Sequence, residues 1–340
     1  MITLSVLRPP SKFAKEERIR EILYEDFLSW ARSDPIRKLF CLFRIIPSMD
    51  DLCRLYKGKD FLFSLQQQIA MVWDFRKMQR EATSSDGEAA RWLLKNTEFT
   101  EAHRNEIMAA AEGLGLVNET DSIFDEVDYI LPLGGARMSN LYRPMLARRT
   151  ADKISVKEGI VALSTYRPIA ESEKEGYIDT YAHEALTEFD AMSKGMIKAF
   201  DVAEKYHDEK KQNENMNLAS NVREYEETYN GSPLYVIAAP SSDENRRANS
   251  ADCFDYFFRS FDVKKGSKIL NCTSQIYVPY QQVRALKYAI KHDVEFDTIG
   301  YSDNSNTKVT FGPVNYLQEI KGTIDAMCDF VKEFKDYIDE

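Results

Sequence analysis

Apolar residues change rhythm once along this chain of 340 residues. Up to about residue 120 they recur at helical spacing. Ile19, Ile22, Leu23, Phe27 and Trp30 share one helical face, and Leu62, Leu65, Ile69, Val72 and Arg76 mark an amphipathic helix over about 60–81. Asp34–Pro35 reads as an N-cap followed by proline at the first helical position. Ser84 to Gly87 reads as a loop. Ala89 to Lys95 and Thr100 to Glu112 read as two more helices, the second closed by Gly113 or Gly115. No β-rich run interrupts this stretch, so residues 1–120 are predicted to form an all-helical domain or subdomain.

From residue 128 short apolar runs alternate with helical segments. Tyr129 to Leu133, Gly159 to Ser164, Leu234 to Ala239, Lys268 to Cys272 and Val294 to Tyr301 read as strands. Helices are expected over about 140–153, 178–203, 243–260 and 278–292. Continuously apolar strands alternating with helices specify an α/β fold, a mostly parallel sheet covered on both faces, over residues 121–340. A last helix over about 316–338 either closes this domain or returns to the helical region. Residues 204–231 are polar and read as a solvated insertion between the second and third βα units.

Composition narrows the class of protein. Hydrophobic residues make up 44% and charged residues 29%, ordinary for a globular chain. A net charge of −10 argues against nucleic acid as a partner, and against anionic membrane surfaces. The five cysteines are widely spaced with no CxxC, which reads as reduced thiols. Residues 1–7 are too short an apolar run for a signal peptide, and no run reaches the roughly 18 residues of a membrane span. The expected location is the cytoplasm.

In an open parallel sheet, ligands bind beyond the carboxyl ends of the strands. The first strand is followed by Gly134, Gly135, Arg137, Asn140 and Arg143. Glycines let N–H groups converge on an anion, and the arginines suit phosphate or carboxylate. The same residues also describe a tight turn with surface arginines. Arg167 follows the second strand. After the third, Ser241 or Ser242 is placed to cap a helix on which Asn245 and Asn249 share a face. Thr273, Ser274 and Gln281 follow the fourth. The stretch 302–307 lacks the glycine and glutamate of a calcium loop, the four histidines are scattered, and no metal site is predicted. Glu184 and Glu188 fall one turn apart on the expected 178–203 helix. Glu188 or Asp243 would serve as acid or base if held in the cleft.

Five segments in order resemble the bacterial domain-of-unknown-function family typified by YdcF, SanA and ElyC. They are Leu133-Gly134-Gly135 with Arg137 and Arg143, the strand end at Ser164-Thr165, Glu188 with Met192, Asn245 with Asn249, and Thr273-Ser274 followed by Arg284-Ala285. The chain has Thr165-Tyr166 in place of the family's Gly-Gly, Arg246 in place of a threonine, and Gln281 where the family tends to carry histidine. The resemblance covers about residues 128–300. It implies a Rossmann-like fold and a cleft for a nucleotide-like ligand, S-adenosylmethionine being one candidate. Three functions follow as expectations. The first is binding of a small anionic or nucleotide-containing ligand. The second is a transferase or hydrolase acting on a phosphorylated or glycosylated small molecule. The third is a non-enzymatic interaction protein working through its helical region.

Overall fold

A computed structural model describes residues 17–45, 48–78, 99–302 and 311–334. The expected loop at 84–87, the helix at 89–95 and most of the 302–307 stretch lie outside the described residues. The chain divides into two compact units. One comprises Met1–Asn118, Gln275–Lys287 and Thr310–Glu340; the other comprises Glu119–Ser274 and Tyr288–Val309.

The helices of the first unit include α1 (Glu17–Ala31), α2 (Asp34–Phe43), α3 (Met49–Leu55), α4 (Gly58–Trp73) and α5 (Glu101–Gly113). Sequence punctuation sets several of their ends. Ser33, rather than Asp34, is the extended residue before α2, and Pro35 sits in its first turn. Thr100 caps α5 by accepting from the His103 N–H at 3.2 Å, and Gly115 leaves the helix at φ 81°. Helix α4 stops at Trp73 because Asp74 departs from helical geometry (φ −83°, ψ 65°). Trp73 rather than Val72 then completes the buried face of Leu62, Leu65 and Ile69.

The second unit is a seven-stranded sheet with helices. Its elements are β1 (Glu126–Pro132), α6 (Ser139–Ala151), β2 (Ser155–Thr165), α7 (Glu188–Phe200), β3 (Tyr206–Lys211), β4 (Ser220–Tyr225), β5 (Leu234–Ala239), α8 (Ser250–Ser260) and β6 (Lys268–Ser274), then, after α9 (Val278–His292), β7 (Glu295–Tyr301). The order across the sheet is β3-β4-β5-β2-β1-β6-β7. The five expected strands are all present and run parallel, with β1 and β2 central. Successive connections move outward from β1 to β2 to β5, then return to β6 on the other side of β1, so the winding direction reverses between β1 and β6. Ile130, Ile160, Ala162, Val236, Leu270 and Ile299 form one buried face with Phe189, Met192 and Met196 of α7.

The polar stretch 204–231 is not a solvated insertion. It forms the antiparallel pair β3–β4, which extends the sheet beside β5. Strand β3 is an exposed edge, so its composition is polar, and Arg223 pairs across it with Asp208 at 2.8 Å. Helix α7 is also shorter than its pattern suggested. Thr187 and Asp190 form a capping box that starts it at Glu188. Residues 168–187 instead make a self-packed excursion, with two short 3-10 turns at Glu171–Glu173 and Ile178–Thr180. Ile169 N–H donates to the Leu186 carbonyl at 3.0 Å and closes its base, and Ile169, Ile178, Ala182 and Ala185 pack against Ala191 of α7.

The last helix, α10 (Pro313–Glu333), belongs to the first unit. Of the two places expected for it, the helical region is the one observed. Phe330 meets Phe27 edge-on at 5.2 Å, Lys321 pairs with Asp74 at 3.0 Å, and Gln66 donates to Asp325 at 2.8 Å. Residues 275–287 and 310–340 therefore group with the helices rather than with the sheet, unlike the expected division at residue 120.

Candidate functional site

The loop between β1 and α6 is built by its own side chains. Asn140, fully buried in the first turn of α6, accepts from the Gly135 N–H at 3.0 Å and donates to the Gly135 carbonyl at 2.9 Å. Arg143, one turn further on and 4% exposed, donates to the carbonyls of Leu133 (2.8 Å) and Gly134, and to Ser274 Oγ (3.3 Å) at the end of β6. Ser274 Oγ in turn donates to Tyr301 Oη at 2.9 Å. One arginine thus ties the carboxyl ends of β1 and β6 together, where the winding reverses. Asn140 and Arg143, expected to touch ligand, spend these bonds on holding the loop.

Both glycines are required by their neighbours. A β-carbon on Gly134 would collide with the Glu188 carboxylate and stand 2.8 Å from the Leu163 carbonyl. One on Gly135 would stand 2.7 Å from Ser139 Cβ and 3.0 Å from Arg143 Nη1. Contacts this short mean that a side chain at either position would force its neighbours to shift.

Behind the loop lies a buried ionic group. Arg167, at the end of β2, gives Nη1 and Nη2 to the two oxygens of Glu173 at 2.6 and 3.0 Å, and its Nε stands 3.6 Å from Glu188 Oε2. Nη2 also reaches the Gly135 carbonyl at 3.4 Å. Glu173 is wholly buried and Glu188 nearly so. Thr165 Oγ1 donates to Glu188 Oε2 at 2.8 Å. Burial opposes the charge on Arg167, but the carboxylates of Glu188 and Glu173 outweigh it and raise the pKa above the ordinary arginine value. The terminal nitrogens expected to grip a ligand are engaged by protein.

Arg137 stands apart. Its backbone is left-handed (φ 53°), which is rare for a residue with a side chain. Its guanidinium lies over the Tyr177 ring at 4.4 Å, and Nη1 is 3.4 Å from Tyr177 Oη. Nε is buried without a hydrogen-bond partner, and no carboxylate among the described residues pairs with the guanidinium. Tyr181 Oη fixes the loop from outside by donating to the Arg137 carbonyl at 3.0 Å. Burial, then the charges of Glu173 and Glu188, push the Tyr181 pKa up, so the phenol keeps its proton for that bond. Tyr177 and Tyr181 belong to the 168–187 excursion. Neither was visible as a site residue, because the stretch carries no motif.

The remaining candidates scatter. Helix α8 begins at Ser250, so Asn245 and Asn249 share no helical face. Asn249 caps α8 by accepting from the N–H groups of Ala251 (2.8 Å) and Asp252 (3.3 Å), and exposed Asn245 donates its N–H to Asp243 at 2.9 Å. Asp243 is exposed. Arg246 pairs with Asp252 at 2.5 Å and donates to Ser242 Oγ at 2.6 Å. Thr273 is fully buried, with Oγ1 unpartnered. Gln281 lies in the helical unit. Glu184 is outside α7, and Asp179 and His183 form a surface pair at 3.7 Å. Among the described residues no cluster of His, Cys, Asp or Glu suits a metal, and no helix is long and apolar enough to cross a membrane.

No protein-family model matches the chain, and no solved structure does. The chain is 28% identical over 318 residues, covering 88% of its own length and 86% of the relative's, to the uncharacterized protein Rv3785 of Mycobacterium tuberculosis. The same figures hold for the uncharacterized protein Mb3814 of Mycobacterium bovis. Those names state no activity.

Proposed function

We propose that the sheet unit is a Rossmann-like, cytoplasmic binding domain that takes a small anionic or nucleotide-containing ligand beyond the carboxyl ends of β1 and β6. The carrying observation is Arg137, a strained arginine without a carboxylate partner, presented by a glycine loop that four other side chains hold rigid. Strained backbone of this kind persists where the surroundings over-determine it, and functional loops are where it gathers. The reversal of winding between β1 and β6 supports the same place. The likeness to the YdcF group adds S-adenosylmethionine to the candidate ligands. Thermal shift against S-adenosylmethionine, nucleoside phosphates, nucleotide sugars and inorganic phosphate tests the proposal. A ligand at about a hundred times its dissociation constant adds roughly 2.7 kcal/mol to stability. The shift disappears in Arg137→Ala if the site is correct; a shift that survives places the ligand elsewhere.

A second reading, an enzyme acting on a phosphorylated or glycosylated small molecule, is favoured by Glu188, which is buried at the same loop while Asp243 is exposed. Incubating the protein with any ligand found above, and following it by NMR, tests this. Conversion that Glu188→Gln abolishes supports an enzyme; an unchanged ligand removes that reading.

A further inference from the structure

The buried ionic group beside the loop is unbalanced. Arg167 supplies one positive charge, and Glu173 and Glu188 are two carboxyl groups. Glu173 is matched by the arginine through both oxygens. Glu188 is half-matched: Oε2 takes the Thr165 hydroxyl and faces Arg167 Nε, while Oε1 accepts no hydrogen bond from any described residue. Oε1 is the atom set against Gly134, in the space a β-carbon there would fill. The Glu188 side chain is 9% exposed, and Oε1, which is not among the fully buried unpartnered atoms, keeps an opening through which a ligand donor could reach it.

Arg137 is three positions after Gly134, so their α-carbons are at most about 11 Å apart. One short loop therefore borders an acceptor without a donor at one end and a cation without an anion at the other. We infer that the ligand is dipolar. An anionic group meets Arg137, and a hydrogen-bond donor on the same small molecule, an ammonium or a sugar hydroxyl, meets Glu188 Oε1. This rests on the ligand-binding reading of the loop and specifies its chemistry. Glu188 is then a recognition residue, and Gly134 is glycine so that the carboxylate can reach the ligand past the backbone.

Three probes separate the terms: inorganic phosphate carries only the anion, adenosine 5′-monophosphate adds a ribose diol, and O-phosphoserine adds an ammonium. Calorimetric titration of the full chain is expected to show adenosine monophosphate or phosphoserine binding at least about tenfold tighter than phosphate. Whichever probe shows the advantage names the donor. In Glu188→Gln the ratio between the affinity for that probe and the affinity for phosphate falls towards one. Glu188→Asp, which keeps the charge but withdraws it by one methylene, gives the same loss and serves if the glutamine variant does not fold. Equal affinity for all three probes, lost together in Arg137→Ala, overturns the dipolar ligand and leaves the anion site standing. An advantage that survives both Glu188 variants also overturns it. No binding of any probe by the wild-type chain overturns both.

Discussion

Arg167 and Glu173 form a two-pronged ion pair, 2.6 and 3.0 Å, with Glu173 completely buried and only 11% of the Arg167 side chain exposed. The pair joins the end of β2 to the 168–187 excursion, which carries both tyrosines that flank Arg137. Removing one partner of such a pair strands a buried charge, which costs about 3–5 kcal/mol. Glu173→Ala is therefore expected to lower stability by that amount in urea denaturation, and to loosen the excursion to proteolysis before the rest of the unit. Arg167→Ala leaves two buried carboxyl groups uncompensated and is expected to cost at least as much. A loss below about 1 kcal/mol, the range of exposed pairs, would mean that the pair is solvated.

Helix α7 crosses α6 with backbone against backbone. A β-carbon on Gly195 would overlap the Asn140 carbonyl oxygen. Gly195→Ala must push α7 away and displace Asn140, the side chain that braces the Gly135 loop. Overpacking of this kind typically costs about 1–3 kcal/mol. The expected outcome is a lower midpoint of thermal unfolding together with weakened ligand binding, since both pass through Asn140. A stable variant with unaltered binding would show that the helices separate without cost.

In the helical unit, burial, and to a lesser degree Glu25, raises the Asp26 pKa to about 6. The folded state then holds this proton more tightly than the unfolded chain. The contribution is fully favourable below the ordinary aspartate pKa and is lost as pH rises through about 6. Asp26→Asn is expected to stabilise the protein at pH 7, by on the order of 1 kcal/mol after allowing for the half-exposed setting. The difference shrinks towards zero near pH 4. Thermal unfolding of both proteins across pH 4–8 checks this; a difference that does not change with pH contradicts it.

Much of this architecture was legible in the chain itself. The five parallel strands announce themselves as continuous apolar runs because both faces of the sheet are covered. Gly134 and Gly135 mark the loop because a β-carbon there would force close neighbours to shift. What stayed hidden depends on tertiary partners. The β3–β4 pair reads as a solvated insertion because an edge strand such as Tyr206–Lys211 buries almost nothing. Thr187 and Asp190 end the apparent helix over 178–203 by local capping, which helical periodicity does not register. The distinction between Arg143 and Arg167, whose guanidinium groups are engaged by carbonyls, a hydroxyl and carboxylates, and Arg137, whose guanidinium meets Tyr177, cannot be read from residue type. It depends on which carbonyls and carboxylates the fold brings within reach, and Glu173 and Tyr181 come from a stretch without any motif.

The central claim is that Arg137 serves a ligand and not the fold, and Arg137→Gly tests it most directly. Glycine accepts the left-handed backbone without strain, which offsets the lost contact with Tyr177, so stability should stay within about 1 kcal/mol of wild type. Titrations with adenosine 5′-monophosphate and inorganic phosphate, run beside urea denaturation, measure both quantities on one sample. The account predicts binding by the wild-type protein, none by the variant, and matching denaturation curves. Binding that survives the substitution, or a variant several kcal/mol less stable, would contradict it.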